Sequence, residues 1–410
     1  MTTLTDPPKE SFRLSMLIYD TRYRSITIQV VALIGFLIAI GWLISNTAQN
    51  LADLGKEPSF RFLGEPAGYD INQRLIEYNS QMTHFRAAIV GLLNTLLVAV
   101  LGCITATVLG VLIGVLRLSN NWIVSRIMAV YVEMFRNVPV LLWIVLIMAI
   151  LIETLPAPRA FRGDDAVASM YLFESVALTN RGFYIPGVDF SRAIGSSGLS
   201  WLLVLIVIGA SIFAVRKVRA RANRIQEATG DRPTTWYIQL GILILPFAVL
   251  MIILGAHFNY PELKGFNFKG GIYMRNSLIA LWLALSLYTA AFIAEIVRAG
   301  ILAISKGQTE AAGALGLRPN RIMSLVVLPQ ALRVIIPPLI SNYLNLTKNS
   351  SLAIAVGYMD ITGTLMGITL NQTGRELETL LLGMLIYLTV SLSISAVMNW
   401  YNNSVKLVER

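Results

Sequence analysis

The chain has 410 residues, of which 55% are hydrophobic and only 14% are charged, and its mean hydropathy is +0.65. Soluble proteins carry about 25% charged residues, so this composition excludes a water-soluble fold and predicts an all-α protein that crosses a membrane several times. The single cysteine, Cys103, and two histidines exclude an internal disulfide and a multi-cysteine metal centre, and leave little for histidine-based catalysis. We therefore expect no metal site.

Apolar runs long enough to cross a bilayer divide the chain. The first run, 26–45, has no charged residue and follows a polar leader, 1–25, without a small-residue cleavage site, so we expect a retained anchor. Seven more runs follow, at about 86–116, 128–152, 199–215, 236–255, 277–303, 335–368 (interrupted) and 379–400. The sequence thus predicts about eight transmembrane helices, with both termini on one side.

The distribution of Lys and Arg indicates which side this is. The leader, the tail 401–410 and the loops 117–127, 216–235 and 304–335 hold 18 of them, whereas the longer segments 46–86, 153–198, 256–276 and 369–378 hold 12. Because basic residues accumulate in cytoplasmic loops, we expect both termini in the cytoplasm. The net charge of +10 then requires no nucleic acid partner.

Small and helix-breaking residues punctuate several runs. Gly102, Gly110 and Gly114 give one helix a small-residue face, which predicts close packing on a neighbour. We expect interruptions at Asn137–Pro139, Pro329, Pro337–Pro338, Gly363 and Gly367. Broken helices at membrane depth are tolerated where they line a cavity, so they favour a translocating protein over a simple anchor.

A short cytoplasmic helix is predicted at 309–317, after the sixth apolar run. Thr309 is placed to cap its N-terminus, alanines promote the helix, and Pro319 disfavours helical backbone at the preceding residue. Ala311, Ala312 and Gly316 would give it a face with almost no side-chain volume. Such a face allows the helix to settle into a groove on another protein.

These residues resemble the EAA signature of ABC-importer permeases. The match consists of Glu310-Ala311-Ala312, Gly316 at the signature glycine, Val326 where isoleucine is usual, and Leu328-Pro329. The resemblance implies that 309–317 is the coupling helix, which inserts into a cleft of a separate ATPase. It assigns the ATPase contact to Glu310, Ala311, Ala312, Gly316 and Leu317.

Further segments resemble permeases of polar amino-acid importers. They are Tyr131–Pro139, with Glu133, Arg136 and Pro139; Glu295, Arg298 and Gly300; Pro329–Arg333; and Leu346–Leu352, where Ser350 replaces the usual threonine. The resemblance covers the two parts of a type I permease core, 86–152 and 277–400. The departures are the extra helix 26–45 after the leader, the loop 46–85, predicted to be periplasmic, and an insertion, 153–276, with a periplasmic loop and two more helices. Long permeases of general L-amino-acid or glutamate/glutamine/aspartate/asparagine systems are similar in this respect.

The resemblance also implies partners and a location in the bacterial inner membrane. We expect a heterodimer with a second, shorter permease, two ATPase subunits and a periplasmic amino-acid-binding protein. The sequence has no Gly-x-x-x-x-Gly-Lys-Ser/Thr phosphate loop, so ATP and Mg²⁺ would be used by the ATPase and not bound by this chain. We expect a transport subunit without catalytic residues.

Charged residues at membrane depth are costly and are usually paired or face a cavity. Glu133 with Arg136 and Glu295 with Arg298 are spaced i, i+3, which predicts two structural ion pairs. Lys348 and Asp360 have no such local partner and are candidates for the substrate pathway, with Asp360 facing the substrate ammonium group. Neutral hydrogen bonds would come from Asn94, Thr95, Ser350 and Ser351.

Two other classes of protein also fit parts of this sequence. A secondary transporter driven by an ion gradient would explain the broken helices and buried charges but not the alanine-rich cytoplasmic helix. A membrane receptor or scaffold would carry a sizeable extramembrane domain, whereas the longest predicted loops have 41 and 46 residues. Dependence of uptake on ATP and on a second polypeptide would separate the first alternative from an ABC permease.

Overall fold

A computed structural model describes residues 15–56, 58–163, 166–195 and 197–405, so the ends of the predicted leader and tail, 1–14 and 406–410, lie outside the described residues. The chain divides into two compact units, 1–62 and 63–410. The first unit contains helices α1 (Met16–Tyr19) and α2 (Thr21–Asp53). Helix α2 is long and apolar enough to cross a membrane, in agreement with the anchor predicted at 26–45.

The second unit is built mainly of helices. Their bounds are α3 His84–Leu116, α4 Trp122–Asn137, α5 Val140–Thr154, α6 Ser197–Thr229, α7 Trp236–Leu254, α8 Asn276–Leu302, α9 Lys306–Ala314, α10 Pro319–Ile322, α11 Leu328–Asn349, α12 Leu370–Thr373 and α13 Glu376–Val405. Within the described residues of the whole chain, seven helices are long and apolar enough to span a membrane, or up to eight if α4 and α5 form one broken span. This range includes the predicted number.

The prolines act differently at their several positions. Between α4 and α5 the chain bends by 106°, because Pro139 favours extended backbone at Val138, which has φ −108° and ψ 132°. The run predicted as one span at 128–152 is therefore two helices. By contrast, Pro337 and Pro338 lie inside the continuous helix α11, so the interruption predicted there is wrong.

Helices α3 and α8 form the centre of the second unit. A Cβ atom placed on Gly110 would lie 3.0 Å from the carbonyl oxygen of Ala290, and one on Gly114 would lie 2.6 Å from that of Ala294. Only glycine allows the two backbones to approach this closely. The structure thus confirms the close helix contact predicted from the glycine spacing.

A small layer of strands covers one end of the bundle, and it was not predicted. Its strands are β1 Ala177–Thr179, β2 Gly182–Ile185, β3 Gly187–Phe190, β4 Ala256–Asn259, β5 Glu262–Lys264, β6 Asn267–Lys269 and β7 Ile272–Arg275. Antiparallel pairing gives the order β1-β2-β7 and the pairs β3-β4 and β5-β6. Because β2 pairs with β7 and β3 with β4, the loops 153–198 and 256–276 lie at the same end, as the Lys and Arg distribution predicted.

Candidate functional site

The cytoplasmic helix predicted at 309–317 is α9, but its bounds differ. It runs from Lys306 to Ala314, so Thr309 lies in its interior and Ser305 is at the N-cap. Gly316 follows the helix end with φ +79°, a left-handed conformation that favours glycine. The start predicted at Thr309 is too late, because Lys306 and Gln308 also favour helical backbone. No proline or pair of glycines before Thr309 prevents the helix from starting earlier.

The exposed face of α9 also differs from the predicted one. Glu310, Ala311 and Gly316 are exposed, whereas Ala312 is only 6% exposed and packs against this chain itself. Leu317 is half-buried, and the neighbouring Leu315 is 83% exposed. Ala312 therefore cannot contribute to a partner-binding face in this conformation, and Leu315 is an exposed apolar residue that the motif did not identify.

An apolar cluster attaches α9 to the end of α8 and to the continuous helical segment after α9, in which α10 and the π-helical turn Met323–Val327 lead into α11. This α9 cluster consists of buried Ala312, Ile322 and Val327 and half-buried Ile301, Ile304, Leu317 and Val326. Ile301 belongs to the end of α8, and Val327 directly precedes α11. Since close-packed interiors transmit displacement, a shift of α9 would be passed to α8 and, through Ile322, Val326 and Val327, to the helical segment that continues as α11.

Helices α8 and α11 together line a cavity of about 270 Å³. We call it the asparagine cavity; its lining residues are Tyr288, Thr289, Phe292, Asn342, Asn345, Leu346 and Asn349. Thr289 lies halfway along α8, which places the cavity near the middle of the predicted membrane span. Sequence analysis missed this site, although three asparagines spaced i, i+3 and i+7 on an apolar helix are a readable signal of a polar face.

Two of the predicted pathway residues, Asn94 and Thr95, instead bond to the backbone on either side of a third, Asp360. Asn94 donates to the carbonyl oxygen of Met359 (2.8 Å), and Thr95 accepts from the backbone N–H of Ile361 (3.1 Å). Asp360 is completely buried. These contacts join α3 to the segment that follows α11.

The carboxylate of Asp360 is occupied within the fold. Its Oδ1 accepts from the backbone N–H of Gly363 (2.9 Å), and its Oδ2 accepts from the hydroxyl of Tyr387 on α13 (3.1 Å). Gly363 belongs to the π-helical segment Thr362–Thr369, so the aspartate satisfies one of the backbone donors at the start of this segment. In this conformation the carboxylate is therefore closed to a substrate ammonium group, contrary to the sequence expectation.

The remaining predicted pathway residues lie near the end of α11. Ser350 is buried and donates to the carbonyl oxygen of Thr347 (2.8 Å), Ser351 is half-buried, and Lys348 is exposed. None of the six predicted residues lines the asparagine cavity. Lys348 and Asn349 are nevertheless adjacent in α11, so Lys348 lies one residue from that cavity.

Charged residues near the ends of α3, α4 and α8 form a network centred on half-buried Glu295. Glu295 pairs with Arg298 at 2.5 Å, as the i, i+3 spacing predicted, and also with Arg117 of the loop after α3. Arg117 in addition lies 3.9 Å from Glu133. Arg136 does not pair with Glu133 but sits over the ring of Phe292 at 5.5 Å. The predicted Glu133–Arg136 pair is thus wrong, and Arg117 was missed because its partners are distant in sequence.

Across the part of the chain that the structure describes, no group of three or more His, Cys, Asp or Glu side chains could hold a metal ion.

Comparison with known proteins gives the family. Residues 222–407 match the family described as the binding-protein-dependent transport system inner membrane component. The chain is 60% identical, over the full length of both proteins, to the glutamate/glutamine/aspartate/asparagine transport system permease protein BztB of Rhodobacter capsulatus. It is 44% identical to the general L-amino acid transport system permease protein AapQ of Rhizobium johnstonii, over 98% of this chain and 96% of the relative.

Among solved structures, a chain of an amino acid ABC transporter crystallised with histidines is 18% identical, with a TM-score of 0.44, over 78% of this chain and 95% of the other. The full-length identity to the two permeases decides the assignment. The protein described here belongs to the family of inner-membrane permeases of binding-protein-dependent amino-acid ABC transporters.

Proposed function

We propose that this permease moves polar L-amino acids into the cytoplasm by alternating access, powered by a separate ATPase that docks on α9. The observation that carries the proposal is the position of α9, which lies in the chain between α8 and the helical segment that leads into α11, the two helices that line the asparagine cavity. The relatives whose names specify glutamate, glutamine, aspartate, asparagine and general L-amino acids support polar amino acids as substrates.

The coupling step follows from packing. Closure of the ATPase would displace the exposed face of α9, and the α9 cluster would carry this displacement into the end of α8 and into the helical segment that leads into α11. The asparagine cavity between these helices would then change its access from one side to the other. The ATPase can shift the equilibrium between the two access states of the permease only by as much as its affinities for these states differ.

The chemistry of the asparagine cavity suits a transient substrate. Each carboxamide offers donors and an acceptor, so Asn342, Asn345 and Asn349 can satisfy both the carboxylate and the ammonium group of an amino acid. No charged side chain lines the cavity. A zwitterion would therefore be held by neutral groups, which favours passage over tight retention.

The proposed assembly completes the transporter. It contains a second permease as a heterodimer partner, two ATPase subunits that bind ATP and Mg²⁺, and a periplasmic binding protein. The six Lys and Arg residues in 216–235 and the four in 304–335 support placing α9 and both termini in the cytoplasm. In this arrangement the β layer faces the periplasm and is a candidate docking region for the binding protein.

The docking role of α9 can be tested with Ala311→Trp. Ala311 is exposed, so a bulky side chain there should leave folding intact but prevent close contact with the ATPase. In proteoliposomes containing the whole assembly, we expect ATP-dependent uptake to fall at least tenfold, with loss of copurifying ATPase. Ala228→Trp, on the exposed end of α6, is the matched control and should have no effect. Normal uptake by the Ala311 variant would refute docking at this face.

The pathway is tested separately with Asn345→Leu. Removing one amide from the asparagine cavity should raise the KM for uptake about tenfold, because one hydrogen bond to a charged group contributes roughly 1.5–3 kcal/mol. Basal ATPase activity should remain. Asn223→Leu, at an exposed position of α6, serves as the control.

Uptake by the assembly should also persist when ionophores collapse ion gradients. Uptake that follows such a gradient would instead support a secondary transporter.

A further inference from the structure

A second and larger cavity lies where the β layer meets the ends of α5 and α8. Its volume is about 550 Å³, which is within the range of small-molecule pockets, about 300–1,000 Å³. We call it the β-layer cavity; the lining residues that matter here are Asn180, Arg181, Asn267, Arg275 and Asn276. Helix α8 begins at this cavity and ends at α9, so the two lie at opposite ends of the bundle.

The β-layer cavity is lined by two arginines and by no acidic residue. Arg181 donates to the carbonyl oxygen of Phe266 at 3.4 Å, a long bond that leaves most of its guanidinium donors unused. Within the described residues, the guanidinium of Arg275 forms no hydrogen bond or ion pair. The backbone N–H of Arg275 donates to Oε1 of Gln73 (3.3 Å). Guanidinium groups bind carboxylates through paired charge-assisted hydrogen bonds, so the cavity favours an anionic ligand.

The start of α8 adds further donors. Arg275 is at its N-cap and makes no side-chain capping bond, so the first backbone N–H groups of this 27-residue helix lack a side-chain partner there. Asn267 contributes as well, because its Oδ1 accepts from the hydroxyl of Tyr184 (2.8 Å) and its Nδ2 is left as a donor. Burial raises the pKa of Tyr184 to about 12, which keeps that hydroxyl protonated.

The same cavity contains acceptors that lack donors. Asn276 is only 3% exposed, and its Nδ2 donates to the carbonyl oxygen of Thr179 (3.3 Å), which fixes the orientation of the amide. Its Oδ1 has no hydrogen-bond partner, and neither has the buried Oδ1 of Asn180. A buried acceptor without a donor is costly, so a ligand with a donor group would stabilise this arrangement.

We propose that the β-layer cavity binds a free acidic amino acid before translocation, with its carboxylates at Arg181 and Arg275 and its ammonium group at the amide oxygens of Asn180 and Asn276. Two arginines without an acidic residue match a ligand with two carboxylates, and the unpaired amide oxygens match its ammonium group. This inference rests on the proposed function as an amino-acid permease. It adds a second substrate site, separate from the asparagine cavity, and half of the residues that line it belong to the insertion 153–276.

The test is equilibrium binding of radiolabelled glutamate to the purified permease assembly, without binding protein and without ATP. Arg275→Gln should weaken the binding at least tenfold, Arg275→Lys should restore part of it, and lysine should not compete. Arg181→Gln, at an exposed position, should also weaken binding and covers the case in which the Arg275 variant does not fold. Lys269→Gln is the matched control, since Lys269 is exposed on β6 but does not line the cavity.

Three outcomes would overturn the inference. The wild-type assembly could show no saturable glutamate binding, or all folded variants could bind glutamate with equal affinity. Alternatively, the arginine variants could bind glutamate normally and fail only to bind the periplasmic binding protein. The last result would make the cavity a protein-docking surface. ATP-dependent uptake by the wild-type assembly is measured in parallel. If the wild-type assembly shows ATP-dependent uptake but the arginine variants bind glutamate as well as the wild type does, the β-layer site is refuted and the proposed function stands. If the wild-type assembly shows no ATP-dependent uptake, the result counts against the proposed function itself.

Discussion

Asp360 is a buried carboxylate whose role the structure redefines. A buried charge is tolerated only where hydrogen bonds replace its lost hydration, and here Gly363 and Tyr387 provide them. The same residue accepts at its backbone oxygen from Thr364 (2.8 Å). Asp360 thus ties the π-helical segment to α13, and its contribution is to the stability of the bundle.

Asp360→Asn should therefore destabilise the fold and leave substrate recognition unchanged. An amide NH2 group would face one of the two present donors, so at least one buried donor would lose its acceptor, at a cost of about 1–3 kcal/mol. We expect a lower Tm of the detergent-solubilised protein and an unchanged KM for uptake. Glu153→Gln, the same chemical change at an exposed position, should not alter the Tm. A raised KM with an unchanged Tm would return Asp360 to the substrate pathway.

Residue roles were predictable from sequence only where partners are close in the chain. The i, i+3 spacing identified Glu295 and Arg298, whereas Arg117 and Glu295 are 178 residues apart and Asp360 and Tyr387 are 27 apart. These pairings depend on how the helices are placed in space. A charged residue in a predicted membrane span that has no partner nearby in the sequence therefore indicates a partner on another helix as readily as a ligand site.

At the scale of elements, the contact of α3 with α8 depends on residues without side chains. Gly114 faces the carbonyl oxygen of Ala294 and the side chain of Val297, where an added Cβ would lie 2.6 Å and 2.9 Å away. Backbone cannot move aside as a flexible side chain can. The two central helices would have to separate to admit even one methyl group.

Gly114→Ala is consequently expected to destabilise the permease, although alanine is the better helix former. Overpacking of this kind costs about 1–3 kcal/mol, which exceeds the gain in helix propensity of about 1 kcal/mol. A decrease in Tm measured in detergent checks this expectation. The matched control is Gly209→Ala in α6, where nothing lies within 4 Å of the added Cβ, so its Tm should stay equal or rise. Equal stability of the Gly114 variant would show that the helices can separate freely.

Apolar runs predicted where helices exist but not where they end. Helix α6 continues to Thr229, 14 residues beyond the predicted end of its run, because Arg, Ala, Gln and Glu continue a helix after it leaves the apolar layer. At 33 residues it is about 50 Å long, against a hydrocarbon core of about 30 Å. The strands were missed because three or four residues are too few for a clear alternation of polar and apolar side chains.

At the scale of the whole molecule, pairing of distant loops supports the predicted arrangement in the membrane. The β2–β7 and β3–β4 pairs hold the loops before α6 and before α8 at one end of the bundle. The backbone N–H of Arg275 also bonds to Gln73 in the segment before α3, which brings that segment to the same end. The three segments that the Lys and Arg distribution assigns to one side thus share one end of the bundle, and the basic C-terminal end of α6 and the helix α9 lie at the opposite ends of α6 and α8.

This arrangement makes a prediction about labelling from the two sides of the membrane. After Cys103→Ala removes the native thiol, a cysteine at Phe266 in the β5–β6 turn should react with an impermeant maleimide added to intact spheroplasts. A cysteine at Gln226, near the exposed end of α6, should react only after the membrane is opened. ATP-dependent uptake by each variant shows that the labelled protein is correctly folded. Because α9 lies at the same end as the α6–α7 turn, labelling in the reverse order would place it outside the cell, where no ATPase could dock, and would overturn the proposed coupling together with the topology.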